Sequence, residues 1–170
     1  LQDADAILTG DGEDAFLDMV PAYDKGESWE RMSPDLTTND PEKQKQNNSG
    51  GLTLDNSTAE NHCTIFAIAE SPKNKNVIWV GTDDGNVQVT RDGGKSWANV
   101  AGRVTGVPKG TWVSSLEPGR FAEGTAFVTF DGHMTGDART YIYKTTDFGA
   151  TWTSLASADM RGYAHVIKQD

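Results

Sequence analysis

Four kinds of chemistry-bearing side chain recur near glycines in this sequence. Asp83 and Asp84 precede Gly85, and Asp131 opens the run Asp131-Gly132-His133-Met134-Thr135-Gly136-Asp137-Ala138-Arg139. His62 and Trp112 each stand just before or at the start of an apolar stretch. Two carboxyls facing each other across a sugar are what glycoside hydrolysis requires, ~5–5.5 Å apart for retention or ~6.5–9.5 Å for inversion. Asp84 and Asp131 are the candidate catalytic pair, with Asp83 an alternative to Asp84. Trp112 is a stacking platform for a sugar ring or a core residue. Each residue also has a plainer use. Asp83-Asp84-Gly85 makes an ordinary hairpin turn. His133 sits idle in a glycine-rich loop, and His62 satisfies a backbone group. Arg139 pairs with Asp131 or Asp137.

Composition narrows the options. The chain has 170 residues and a formal net charge of −10. That length suits one domain, and that charge argues against nucleic acid and anionic membranes as partners. No apolar run approaches the ~20 residues of a membrane span. The opening Leu1-Gln2-Asp3-Ala4-Asp5 is not a leader, and an excised chain would look the same. Cys63 is the single cysteine, so no internal disulfide forms, and its apolar neighbours predict a buried, inert thiol. No HExxH, phosphate loop or cysteine cluster is present, so neither metal nor cofactor is expected. Two glycosylation sequons, Asn47-Asn48-Ser49 and Asn56-Ser57-Thr58, are short enough to arise by chance.

The elements that hold these residues are read from a repeat. Thr90-Arg91-Asp92-Gly93-Gly94-Lys95-Ser96-Trp97 returns as Thr145-Thr146-Asp147-Phe148-Gly149-Ala150-Thr151-Trp152. A weaker copy, Ala22-Tyr23-Asp24-Lys25-Gly26-Glu27-Ser28-Trp29, lacks the leading hydroxyl. The skeleton (Ser/Thr)-x-Asp-x-Gly-x-(Ser/Thr)-Trp describes a tight hairpin. Asp accepts from backbone N–H groups just ahead of it, Gly94 or Gly149 supplies positive φ, and the Trp opens the next strand with its ring buried. Repeats tens of residues apart signal an array of supersecondary units.

The pattern resembles the Asp-box, or bacterial-neuraminidase repeat, which lies between the third and fourth strands of a β-propeller blade. Residues Ile78 to Trp97 resemble secreted bacterial proteins of glycosyl-hydrolase-like or sortilin-like type, and the resemblance extends from about Ser28 onward. It implies an all-β fold of four-stranded antiparallel blades, incomplete here, and a secreted or periplasmic location. In this reading the structural box residues are Asp24, Gly26, Trp29, Asp92, Gly94, Trp97, Asp147, Gly149 and Trp152. The box implies fold and not activity. A sialidase site would need three arginines and a tyrosine nucleophile, and arginines here are few.

Residues 1–60 are read as a partial blade followed by a long polar loop from residue 30. Residues 61–107 and 108–160 are two blades, and 161–170 is the first strand of a further one. In the first blade the expected strands are 64–69, 77–82, 86–90 and 97–100. In the second they are 112–116, 125–130, 141–145 and 152–155. Two blades do not close a ring of ~4 to 8, so more chain or another subunit completes it. Up-and-down blades place the B–C turns and D–A connections on one face. That face collects His62, Asp83, Asp84, Trp112, Asp131, His133 and Arg139, the expected ligand-binding set. The function expected is a non-catalytic binding or scaffold segment with a carbohydrate or protein partner. The alternatives are a polysaccharide hydrolase using paired Asp residues and a structural subunit of a larger assembly.

Overall fold

A computed structural model describes residues 31–43 and 62–170. The weak box at Asp24, Gly26 and Trp29 and both sequons lie outside the described residues. Among the described residues, two four-stranded antiparallel sheets form, each in simple up-and-down order. The first contains β1 (Ile65–Ser71), β2 (Asn74–Thr82), β3 (Val87–Thr90) and β4 (Ala98–Asn99). The second contains β5 (Trp112–Pro118), β6 (Ala126–Asp131), β7 (Tyr141–Thr145) and β8 (Thr153–Ser154). The outermost strands have two residues each, so each sheet presents little open ladder at that edge.

Strand β2 shows why these sequences form blades. From Val77 onward every residue of the strand is buried. Its alternating sides meet two different cores, as the two-residue period of a strand requires. Val77 and Trp79 face the main cluster with Val87, Val113, Leu116, Val128, Phe130 and Tyr143. Ile78 and Val80 face a smaller cluster with Leu36 and Ile65, on which Met32 and Trp97 pack. A strand covered on both faces reads as a continuous apolar run, as Val77-Ile78-Trp79-Val80 does. Strand β5 packs on β1 and β2 and so joins the blades. The approach is close at Gly81, where an added Cβ would lie 2.4 Å from Val113 Cγ1.

The polar loop expected from residue 30 is partly a packed element. Leu36 is 1% exposed, and Gln88 Nε2 and Asn86 Nδ2 each donate to its carbonyl at 3.0 Å. Residues 31–43 therefore cover the first blade on the side away from the second. The run Tyr163–Ile167 was expected as a strand, and it is not one. No backbone–backbone hydrogen bond among the described residues joins 161–170 to a neighbour. A strand is defined by its ladder, and this segment is held by side chains instead.

The two repeated turns have the chemistry their residues dictate. Asp92 Oδ1 accepts from Ser96 N at 2.9 Å and from Thr90 Oγ1 at 2.8 Å, while Ser96 Oγ donates to Oδ2 at 2.6 Å. Asp147 repeats this with Thr151 N at 2.8 Å, Thr145 Oγ1 at 2.8 Å and Thr151 Oγ at 2.7 Å. Those hydrogen bonds hold both carboxyls down at about 2. Trp97 and Trp152 are half-buried rather than fully enclosed, and each precedes its two-residue strand by one position.

Candidate functional site

The seven candidate residues lie at the ends of β2 and β6, at the entries to β1 and β5, and in the loop before β7. They fall into four small constellations. Two of these are staples. Asp84 is 3% exposed and accepts from Thr38 N at 2.6 Å and from Thr38 Oγ1 at 2.7 Å. Its other oxygen accepts from Thr82 Oγ1. Burial pushes this carboxyl up, but the Thr82 and Thr38 hydrogen bonds outweigh burial and hold it below its usual range. Asp84 thus pins residues 31–43 to the β2–β3 turn, with both oxygens engaged. That turn needs Gly85, at φ +91, because an added Cβ would meet Gly110 Cα at 2.8 Å.

Asp83 performs a similar task at the entry to β1. It accepts from Thr64 N at 2.8 Å and Thr64 Oγ1 at 3.0 Å. Burial raises its pKa, against the lowering effect of Thr64 and of the nearby His62. His62 Nδ1 stands 3.6 Å from Asp83 Oδ2, an ion-pair distance outside hydrogen-bonding range. Its Nε2 is buried with no hydrogen-bond partner among the described residues.

Arg139 pairs with Asp137 and not with Asp131. Its Nε and a terminal nitrogen reach the two Asp137 oxygens at 2.9 and 2.7 Å, the fork geometry of a bidentate pair. Tyr141 Oη donates to the same carboxylate at 2.7 Å. The Arg139 hydrogen bond and then the Tyr141 hydrogen bond drive Asp137 well below the usual carboxylate range. Burial, with Asp137 alongside, pushes the Tyr141 hydroxyl up to about 12.

The fourth constellation is the richest. Asp131 ends β6 with its side chain shielded from solvent. His133 donates to Oδ1 through its backbone N at 2.9 Å, and its Nδ1 lies 2.7 Å from the same oxygen. His165 Nδ1 lies 2.9 Å from Oδ2. Burial would raise Asp131, but hydrogen bonds from His133 and His165 prevail and hold it low. An ionised carboxylate only accepts, so each Nδ1 that hydrogen-bonds to it carries a proton.

Rings extend outward from this centre. Trp112 packs edge-to-face on Phe66 at 4.4 Å between centroids and on His165 at 5.4 Å. His133 stacks on Tyr163 at 4.5 Å with planes 16° apart. Phe66 is 50% exposed and Tyr163 48%. Phe66, Tyr163 and His165 are additions to the residues the sequence pointed to. A register shift between Ile65 and Ala67 turns Phe66 outward. A bulge of that kind breaks the alternation by which an exposed ring would be recognised. The sequence predicts a strand over Tyr163–Ile167, and a strand pattern does not single out Tyr163 or His165 as partners for the Asp131 centre.

No protein-family model and no curated protein matches the sequence. An ancestral GH74 enzyme of known structure aligns over 89% of this chain at 15% identity, with a TM-score of 0.57. The chain folds as part of a β-propeller. It spans 17% of that enzyme's length, which accords with blades of an incomplete ring. The GH74 enzyme of Niastella koreensis aligns over 82% of this chain and 18% of its own, at 18% identity and a TM-score of 0.48. YCF48 bound to a D1 peptide aligns over 81% of this chain and 33% of its own, at 18% identity and a TM-score of 0.49.

Proposed function

We propose that this chain is a binding or scaffolding segment of a secreted or periplasmic β-propeller protein of Asp-box type. Its ligand or partner sits on the face formed by the β2–β3 and β6–β7 turns and by the entries to β1 and β5. One observation carries this reading: half-exposed rings are mounted on a buried carboxylate whose two oxygens are both occupied by imidazoles. Such an arrangement offers surface and orientation. The candidate hydrolytic pair is organised differently from a glycosidase pair, because Asp84 and Asp131 are 3% and 2% exposed and spend their oxygens on Thr38, Thr82, His133 and His165. An acid and a nucleophile must each reach the glycosidic bond.

Glycan and peptide arrays probed with the full-length protein, together with polysaccharide hydrolysis assays, test the proposal. Binding without turnover, weakened by Phe66→Ala and unaffected by Asp92→Asn, is the expected result. Hydrolysis lost in both Asp84→Asn and Asp131→Asn, with folding intact by circular dichroism, would establish the enzyme instead. Ligand contacts mapped to the turns at 90–97 and 145–152 would place the site on the opposite face.

A further inference from the structure

Three positions beyond the tryptophan of each repeated turn stands an apolar side chain: Met32 after Trp29, Val100 after Trp97 and Leu155 after Trp152. Val100 N donates to Val87 O and Leu155 N to Ile142 O, both at 2.8 Å, so these two occupy one position of the blade. Met32 and Val100 each press on the fifth-position glycine of the next turn along the chain. A Cβ added to Gly94 would lie 2.6 Å from Met32 Cγ, and one added to Gly149 would lie 2.7 Å from Val100 Cγ2. Val100 is 1% exposed, whereas Leu155 is 38% exposed. The rings follow the same succession. Trp79 pairs with Val89 across β2–β3, and Phe127 pairs with Lys144 across β6–β7, one residue before Thr90 and Thr145, so the two rings are equivalent. Trp79 is 0% exposed and carries Trp152 of the next turn edge-to-face at 6.1 Å. Phe127 is only half-buried, with Lys144 Nζ 5.6 Å from its centroid. Closer to the inner strands the succession has begun on both sheets. Gly81, two residues beyond Trp79, meets Val113, and Thr129, two residues beyond Phe127, donates to the His165 carbonyl at 3.2 Å.

We infer that Leu155 and Phe127 seat a further hairpin of the (Ser/Thr)-x-Asp-x-Gly-x-(Ser/Thr)-Trp kind, its glycine on Leu155 and its tryptophan on Phe127. The interface between the two sheets supplies the pattern: Gly149 sits on Val100 while Trp152, three residues later, sits on Trp79. Leu155 and Phe127 hold the places of Val100 and Trp79 on the second sheet, so the same three-residue step spans them. Gly94 and Gly149 have φ of +91 and +80, and the bare Cα both permits that turn and admits the side chain pressed on it. An apolar partner without glycine at that step would put its Cβ into Leu155. Stacking of like units buries the flank that each leaves open, as repeats require. The docking stands whether or not the Asp131 face takes a ligand.

Photocrosslinking of the full-length protein in its natural assembly tests this. Photo-leucine replaces Leu155, p-benzoylphenylalanine replaces Phe127 in a separate sample, and photo-methionine at Met32 is the reference, expected to insert within one residue of Gly94. Denaturing electrophoresis and peptide mass spectrometry read the products. The probe at 155 is expected to insert within one residue of a glycine that has Asp two residues before it and Trp three residues after it. The probe at 127 is expected to capture the tryptophan of that same stretch. A product of unchanged mass places the stretch on the same polypeptide and one of summed mass places it on another chain, and either supports the docking. Insertion at 155 into a stretch without that Asp, Gly and Trp would overturn it, as would capture of unrelated stretches by 155 and 127. Water-quenched product alone at 155, beside insertion from Met32, would overturn the docking and leave the ligand face standing.

Discussion

Three aspartates at the ends of β2 and β6 differ from one another although their local sequences are similar. Asp84 and Asp131 are held ionised by hydrogen bonds that overcome their burial, whereas burial prevails at Asp83. The signs give a pH dependence. Asp84 and Asp131 have lowered folded-state values, so their contribution is present above the ordinary aspartate value of 3.8 and is lost as pH falls through their folded pKa values. Asp92 and Asp147 behave alike between 3.8 and about 2. Asp83 works the other way, since its raised value favours the fold below 3.8 and loses that benefit as pH rises. With Asp137 also lowered, five lowered carboxyls against one raised among the described residues predict net acid destabilisation below about pH 4. Denaturant midpoints measured at pH 7, 4 and 2.5 should fall in that order, and Asp84→Asn should flatten the dependence. Asp131→Asn at pH 7 is expected to cost about 1.5–3 kcal/mol, the usual worth of hydrogen bonds to a charged group, measured by urea denaturation.

At the scale of elements, the informative contacts are those between pieces far apart in sequence. Leu36 reaches the Ile65, Ile78 and Val80 cluster from a stretch whose composition is that of a loop. Leu36→Ala should destabilise by about 2–5 kcal/mol, the range for a fully buried leucine, whereas a solvated linker would show no change. Calorimetry of the variant decides between these. Gly81 is the converse case, where absence of a side chain lets two blades meet. Gly81→Ala is expected to cost about 1–3 kcal/mol through overpacking against Val113, with Val113→Ala in the double variant recovering part of the loss.

For the molecule as a whole, order is graded from the centre outward. Strands β2 and β6 have pairing on both edges, and β2 has core packing on both faces. Residues 162–169 have neither ladder nor full burial, and they are tied by Thr140, Asp131, Glu117 and Arg120. Hydrogen exchange should therefore release the amides of 163–169 well before those of β2 and β6. Slow exchange at 163–169 in a larger assembly would show that a strand pairs there. Equal protection in this chain alone would contradict the grading.

Strand positions, the two hairpin turns and the blade order were legible in the sequence because they follow from local rules. Alternation or apolar runs mark strands, and Asp, Gly and hydroxyl residues at fixed spacing close turns over eight residues or so. The expectation that His62, Asp83, Asp84, Trp112, Asp131, His133 and Arg139 share one face came from strand order alone. What each of those residues touches did not. Asp131 takes His165 from 34 residues away, Asp84 takes Thr38 from 46 residues away, and a one-residue bulge turns Phe66 to the surface. Such pairings depend on how separate blades and flanking segments stack. A sequence period records which way a side chain points, but only the packed fold brings it to its partner.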